Sequence, residues 1–199
     1  MRVLAAILVI ANLGSAAMPG GRAEATSDLE EYLRQIRNWG MSESAHSALF
    51  TVACIVNGST ILSVSRDSTS GWWLRGYRAT ACPLPGADSL AVAKWQEEIR
   101  QRSEPVIALL RPSADSDGSG FVTSQEAGAF RELVEFGYVV DYLVRGETLD
   151  PEAVAEANSM TLQKLMDRAE AYNEVARRFN AASTLRMPVL ELASREAQR

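Results

Sequence analysis

Apolar positions recur at three- and four-residue spacing along most of the chain, which makes helix the prevailing element. Leu29, Tyr32, Leu33 and Ile36 sit among Glu30, Glu31, Arg34 and Arg37. They predict an amphipathic helix that starts at Thr26 to Asp28 and ends near Trp39 and Gly40. Asp88 and Ser89 open a second through Leu90, Val92, Trp95 and Ile99, with Glu97, Glu98, Arg100 and Arg102 on its wet side. Ser103-Glu104-Pro105 reads as a fresh start, since proline is tolerated in a first turn, and leads into a short helix that buries Val106 to Leu110. Gln125 to Arg145 carries Phe130, Leu133, Val134, Phe136, Tyr138, Val139, Tyr142 and Leu143, so this helix must bury more than one face before Gly146 ends it. Asp150 and Pro151 form a cap and first turn. A long helix begins after Asn158 or Ser159 and runs through Leu162, Leu165, Met166, Ala169, Tyr172, Val175, Ala176 and Phe179. Leu185, Val189, Leu190 and Leu192, around Pro188, predict a short packed tail.

Between these helices two patterns compete. Ser42 can cap a helix through Ala45, Leu49, Ala53 and Val56 that Gly58 closes. Alternatively the β-branched runs TVACIV and STILSV flank Asn57-Gly58 and read as a short β-hairpin. The helical neighbours favour helix. Arg66 to Gly86 is punctuated by Gly71, Gly76, Pro83 and Pro85 and reads as a loop. Its Trp72, Trp73 and Tyr77 suit either a covered core or an aromatic surface for a protein partner.

Composition places the chain in a compartment. The first 25 residues join Arg2, an apolar run from Val3 to Leu13, and small residues at two cleavage positions, after Ala17 or after Ala25. That is the layout of a secretory signal peptide, with a run too short to span a bilayer. The expectation is a secreted or periplasmic protein with one helical domain over residues 26–199 and no membrane span in the mature chain. Losing Arg2, Arg22 and Glu24 moves the formal charge from −5 to −6. An acidic chain with dispersed arginines is unsuited to nucleic acid, which needs clustered positive charge. Cys54 and Cys82 are an even pair and, in an oxidising compartment, predict a disulfide.

The specific chemistry lies at Asp115 to Glu126, DSDGSGFVTSQE. Oxygen-bearing side chains occupy the first (Asp115), third (Asp117), fifth (Ser119), ninth (Thr123) and twelfth (Glu126) places, with Gly120 at the sixth. This pattern resembles the calcium loop of an EF-hand. The resemblance implies Ca²⁺ as ligand, held by Asp115, Asp117, Ser119, the Phe121 backbone carbonyl, a direct or water-bridged oxygen at Thr123, and Glu126. It also implies that Gly120 makes a sharp turn and that Val122 points into the core and pairs its backbone with a neighbour. The hand would occupy about residues 104–145. Pro112 departs from the pattern by interrupting the entering helix. Solitude is the other departure: Arg66 to Tyr77 and Asp141 to Glu152 lack the ligands and could serve only as degenerate partners.

Other chemistry is thin. One histidine, His46, cannot build a multi-histidine zinc site, and no phosphate loop or dinucleotide fingerprint occurs. Glu30-Glu31 and Glu97-Glu98 are adjacent on helices and point apart. The reading is therefore a mostly α, bundle-like calcium protein in which the ion stabilises the fold, with no residue set that argues for an enzyme. Its rivals are a calcium-gated interaction module and a periplasmic enzyme whose calcium is incidental.

Overall fold

The computed structural model describes residues 30–31, 34–35, 37–58, 60–67, 71–79 and 88–192, and for 60–79 the backbone alone. The leader, both cleavage positions and Cys82 lie outside the described residues. So do the side chains of Trp72, Trp73 and Tyr77. The fold is mostly helical and bundle-like. The described part of 30–38 is helical and ends in a turn at Trp39 and Gly40, whose φ of +65° suits glycine.

Helix α1 spans Glu43–Val56, capped by Ser42, whose hydroxyl accepts from Ala45 N at 3.1 Å. Ala45, Leu49, Val52, Ala53 and Val56 form its buried face. TVACIV is thus the end of a helix, as the neighbours favoured. Of STILSV, Thr60 to Val64 lie in a strand, but its partner comes later in the chain. Strand β1, Thr60–Asp67, pairs antiparallel with β2, Gly71–Ala79, in a register running from Thr60↔Ala79 to Asp67↔Gly71. The hairpin therefore lies one element beyond Asn57-Gly58 and takes up a stretch expected to be a loop. Its composition, GWWLRGYRA, is aromatic-rich and suits a strand, in which Gly71 is the first residue and Gly76 falls at a bulge opposite Leu62 and Ser63.

Helix α2, Ser89–Ala114, corrects the expected break. It is one helix of 26 residues that runs through Pro105 and Pro112 and ends at the Asp115 cap. Ile99, Ser103, Val106, Ile107, Leu110 and Ala114 form one unbroken buried stripe at helical spacing across both prolines. The prolines are seven residues apart and both are exposed, as are Gln101 and Ala108, whose carbonyls lose their helical donors. Water can satisfy those carbonyls while burial on the opposite side holds the helix together.

Helix α3, Ser124–Asp141, widens into a π-helical turn over Tyr142–Gly146, where Glu147 N donates to Tyr142 O at 3.1 Å. It buries Ala127, Phe130, Val134, Phe136, Gly137, Val139 and Val140, and so packs on several sides. At Gly137 a Cβ would lie 2.2 Å from the Tyr172 ring, so only glycine lets α3 approach α5 this closely. Helix α4, Pro151–Ala157, is capped by Asp150 as expected. Helix α5, Leu162–Ala182, starts at a Thr161 cap, a few residues later than the sequence suggested. The tail folds back on α5, where Asn173 both accepts from Leu190 N (2.8 Å) and donates to Leu190 O (2.9 Å).

Helices α1 to α5 feed one hydrophobic cluster that includes Leu49, Val122, Val134, Leu165 and Tyr172. No helix of the described residues is long and apolar enough to cross a membrane. The described residues of Arg66 to Tyr77 lie in β1 and β2, and Asp141 to Glu152 runs from the end of α3 through the π turn to the start of α4, so the described residues of neither form a loop paired with 115–126.

Candidate metal centre

The loop between α2 and α3 begins at the α2 C-cap, where Asp115 N donates to Arg111 O at 3.0 Å. Two left-handed glycines wind it tightly, Gly118 at φ +69° and Gly120 at +79°. Asp115 folds over the turn: Oδ1 accepts from Ser119 N (3.0 Å) and Oδ2 from Gly120 N (2.8 Å). Asp117 Oδ1 accepts from the same Ser119 N–H at 2.9 Å.

Glu126 closes the circle. Its Oε1 accepts from Ser116 N (3.0 Å) and Ser116 Oγ (2.9 Å), at the loop's start. Its Oε2 accepts from Thr123 N (2.9 Å) and Thr123 Oγ1 (2.8 Å), at the loop's end. Thr123 Oγ1 also accepts from Glu126 N at 3.2 Å, completing a capping box that fixes the first turn of α3.

Asp115, Asp117 and Glu126 bring carboxylate oxygens within 4.8 Å of one another. Among the described residues they are the one group of acidic, histidine or cysteine side chains close enough to share an ion. Like charges at that range repel, and backbone donors offset part of the repulsion. The Thr123 N–H, before any other group, holds the Glu126 carboxyl down at about 2. The Ser119 N–H does the same for Asp117, keeping it below the ordinary carboxylate range. Both groups are ionised at neutral pH. Every donor turned toward the loop is oxygen, a set that suits a hard cation and offers nothing to a soft one.

The loop's remaining places divide. Ser119 Oγ donates to the Phe121 carbonyl at 3.1 Å, so these two oxygens lie side by side. Thr123 spends its hydroxyl on the helix cap. Val122 is fully buried and forms a parallel bridge with Met41, Val122 N donating to Gly40 O at 3.0 Å. Outside the twelve residues, Arg111 Nη2 donates to Gly120 O at 2.9 Å. Ser124 Oγ lies 3.0 Å from Ser42 Oγ and also contacts Ser44 Oγ. Spacing could not reveal these contacts. Arg111 is one helical turn upstream and is detectable only once α2 is seen to continue to the loop. The Gly40 to Ser44 segment is remote in sequence.

His46 lies away from the loop's carboxylates, buried beside Trp39 (ring centroids 6.0 Å apart) and Phe50 (6.4 Å). Burial pushes its imidazole down to about 4, so it is neutral at pH 7. Cys54 is buried with Sγ 3.5 Å from Ser103 Oγ, and burial raises its thiol. The expected bridge from Cys54 involves Cys82, outside the described residues.

No protein-family model matches the chain, and no curated protein or solved structure matches it either.

Proposed function

We propose that the chain is an exported calcium-binding protein in which one site of EF-hand type, Asp115 to Glu126, ties α2 and α3 into the helical bundle. The observation that carries this reading is the convergence of the Asp115, Asp117 and Glu126 carboxylates within 4.8 Å, on the loop positions where the motif needs oxygens. Asp115, Asp117, Ser119, the Phe121 carbonyl and Glu126 would hold the ion, and Thr123 would add a direct or water-bridged oxygen. A bound Ca²⁺ supplies the positive charge that three neighbouring carboxylates lack.

Ionised acids, a loop wound by Gly118 and Gly120, and a capped exit helix all favour binding without large rearrangement. Val122 is already fully buried, which favours a structural ion over one that exposes an apolar face. Three carboxylates are a modest charge for this loop type, so the dissociation constant belongs near ~10⁻⁵ to 10⁻³ M, the range of extracellular modules. Such affinity fits export, where calcium is plentiful.

The test is thermal unfolding with calcium and with chelator. At calcium one hundred times the dissociation constant, mass action raises stability by about 2.7 kcal/mol, or roughly 5–10 °C in midpoint for a chain of this size. Glu126→Gln removes that shift. An identical wild-type midpoint in about 0.1 M calcium, one hundred times the weakest expected dissociation constant, and in chelator would refute the reading.

A further inference from the structure

The geometry points to a second part of the calcium site that lies outside its loop: the turn at Gly40, which orients the backbone carbonyl of Phe121 and so sets affinity. This rests on the calcium reading above and adds a positioning residue to it.

The two peptide bonds that flank Phe121 are both anchored from outside the loop. On one side the Gly120 carbonyl accepts from Arg111 Nη2 at 2.9 Å. On the other, Val122 N donates to Gly40 O at 3.0 Å. A trans peptide is planar, with its C=O and N–H pointing in opposite directions. Holding Val122 N–H on Gly40 therefore turns the Phe121 carbonyl the opposite way, toward the loop's interior, where Ser119 Oγ donates to it at 3.1 Å. Holding the Gly120 carbonyl on Arg111 likewise turns Phe121 N–H inward, again onto Ser119 Oγ, at 3.3 Å. The single backbone ligand of the proposed site is thus aimed by contacts that no loop residue makes alone.

Gly40 is the tightest point of this arrangement. A Cβ there would lie 2.7 Å from Gly120 O and 2.8 Å from Arg111 Nη2, and its φ of +65° is left-handed. Any side chain must push Gly120 away from Gly40, and the Phe121 carbonyl moves with it. The hydroxyls of Ser42 and Ser44 on Ser124 fasten the same segment to the first residue of α3, two residues from Glu126. Ser42 caps α1, so loop, exit helix and α1 meet at one junction. A paired hand would supply this backbone partner from a second loop; here a helix-ending turn far upstream supplies it.

Reciprocity follows: if the Gly40 contact favours the ion, the ion favours the Gly40 contact by the same factor. The experiment uses calcium titration calorimetry on wild type, Gly40→Ala and Ser124→Ala, terbium luminescence lifetimes on the same proteins, and hydrogen exchange of wild type with and without calcium. Gly40→Ala should bind calcium about tenfold more weakly, within the usual span of coupling between sites. Bound Tb³⁺ should carry about one additional water in that variant, replacing the displaced carbonyl. Ser124→Ala, which adds no bulk, should weaken binding less but in the same direction. Calcium should slow exchange at Val122 N–H in wild type.

A wild type that binds calcium, with affinities and hydration unchanged in both variants and exchange at Val122 unchanged, overturns the coupling and leaves the calcium site standing. Absence of any calcium heat in wild type overturns the site itself and the coupling with it. Should Gly40→Ala fail to fold, Ser124→Ala and the wild-type exchange decide.

Discussion

Tyr172 shows how a single residue can be both indispensable and imperfect. It is fully buried against Gly137, yet among the described residues its phenol oxygen has no hydrogen-bond partner. A buried hydroxyl left unsatisfied costs about 1–3 kcal/mol. Tyr172→Phe should therefore match or exceed wild type by up to about 1 kcal/mol in denaturant unfolding, because the ring stays and the unmet group leaves. A measurable loss of stability would mean the hydroxyl has a partner. The ring's role was half legible: helical spacing marked Tyr172 as core, but nothing local marked Gly137 as the residue that makes room for it. The loop acids were legible for the opposite reason. Asp115, Asp117 and Glu126 converge within twelve consecutive residues, where spacing and geometry are nearly the same thing. Gly40 and Arg111 act on that loop from outside, and Gly40 is joined to it by tertiary folding alone.

At the scale of elements, helices whose buried stripes agree with their caps were legible almost to the residue. Asp150 before Pro151 and Asp88 before Ser89 begin helices where the sequence places them. The failures came where a strong local signal met a stronger non-local one. Pro105 and Pro112 read as a new start and a break, yet α2 passes through both. A proline within a helix costs about 3 kcal/mol, so the two together cost about 6 kcal/mol. Against that, Val106, Ile107, Leu110 and Ala114 are all at most 3% exposed, and each large aliphatic among them offers about 1.5–3 kcal/mol on burial. Burial wins, and the entering helix reaches the loop. The hairpin failed differently. Asn57-Gly58 is a strong turn signal, but it sits at the end of α1, where it closes a helix whose last five residues, Val52 to Val56, are all buried. The strand pair then had to form from what followed.

Over the whole molecule, the single histidine ties stability to pH. His46 in the folded chain titrates at about 4, against an ordinary 6.5. Between those values the unfolded chain holds a proton that the folded chain refuses, so stability is complete above about 6.5 and falls as pH drops toward 4. The slope approaches about 1.4 kcal/mol per pH unit. His46→Phe keeps a ring between Trp39 and Phe50 and should lose less stability than wild type between pH 7 and pH 5. Equal losses in both proteins would show that His46 contributes nothing to the acid response. The junction at Gly40 also bears on the order in which the chain assembles. Its serine contacts join residues 82 and 80 apart in sequence, whereas the tail docks on Asn173 from 17 residues away. Closing the longer span costs more chain entropy and yields few contacts until α1 and α3 already exist. The junction is therefore expected to form late, once α1 and α3 have packed. If the proposed calcium binds there, it would act as a latch on a finished structure: in stopped-flow measurements calcium should slow unfolding and leave the refolding rate unchanged. Faster refolding in calcium would instead place the loop in the folding nucleus.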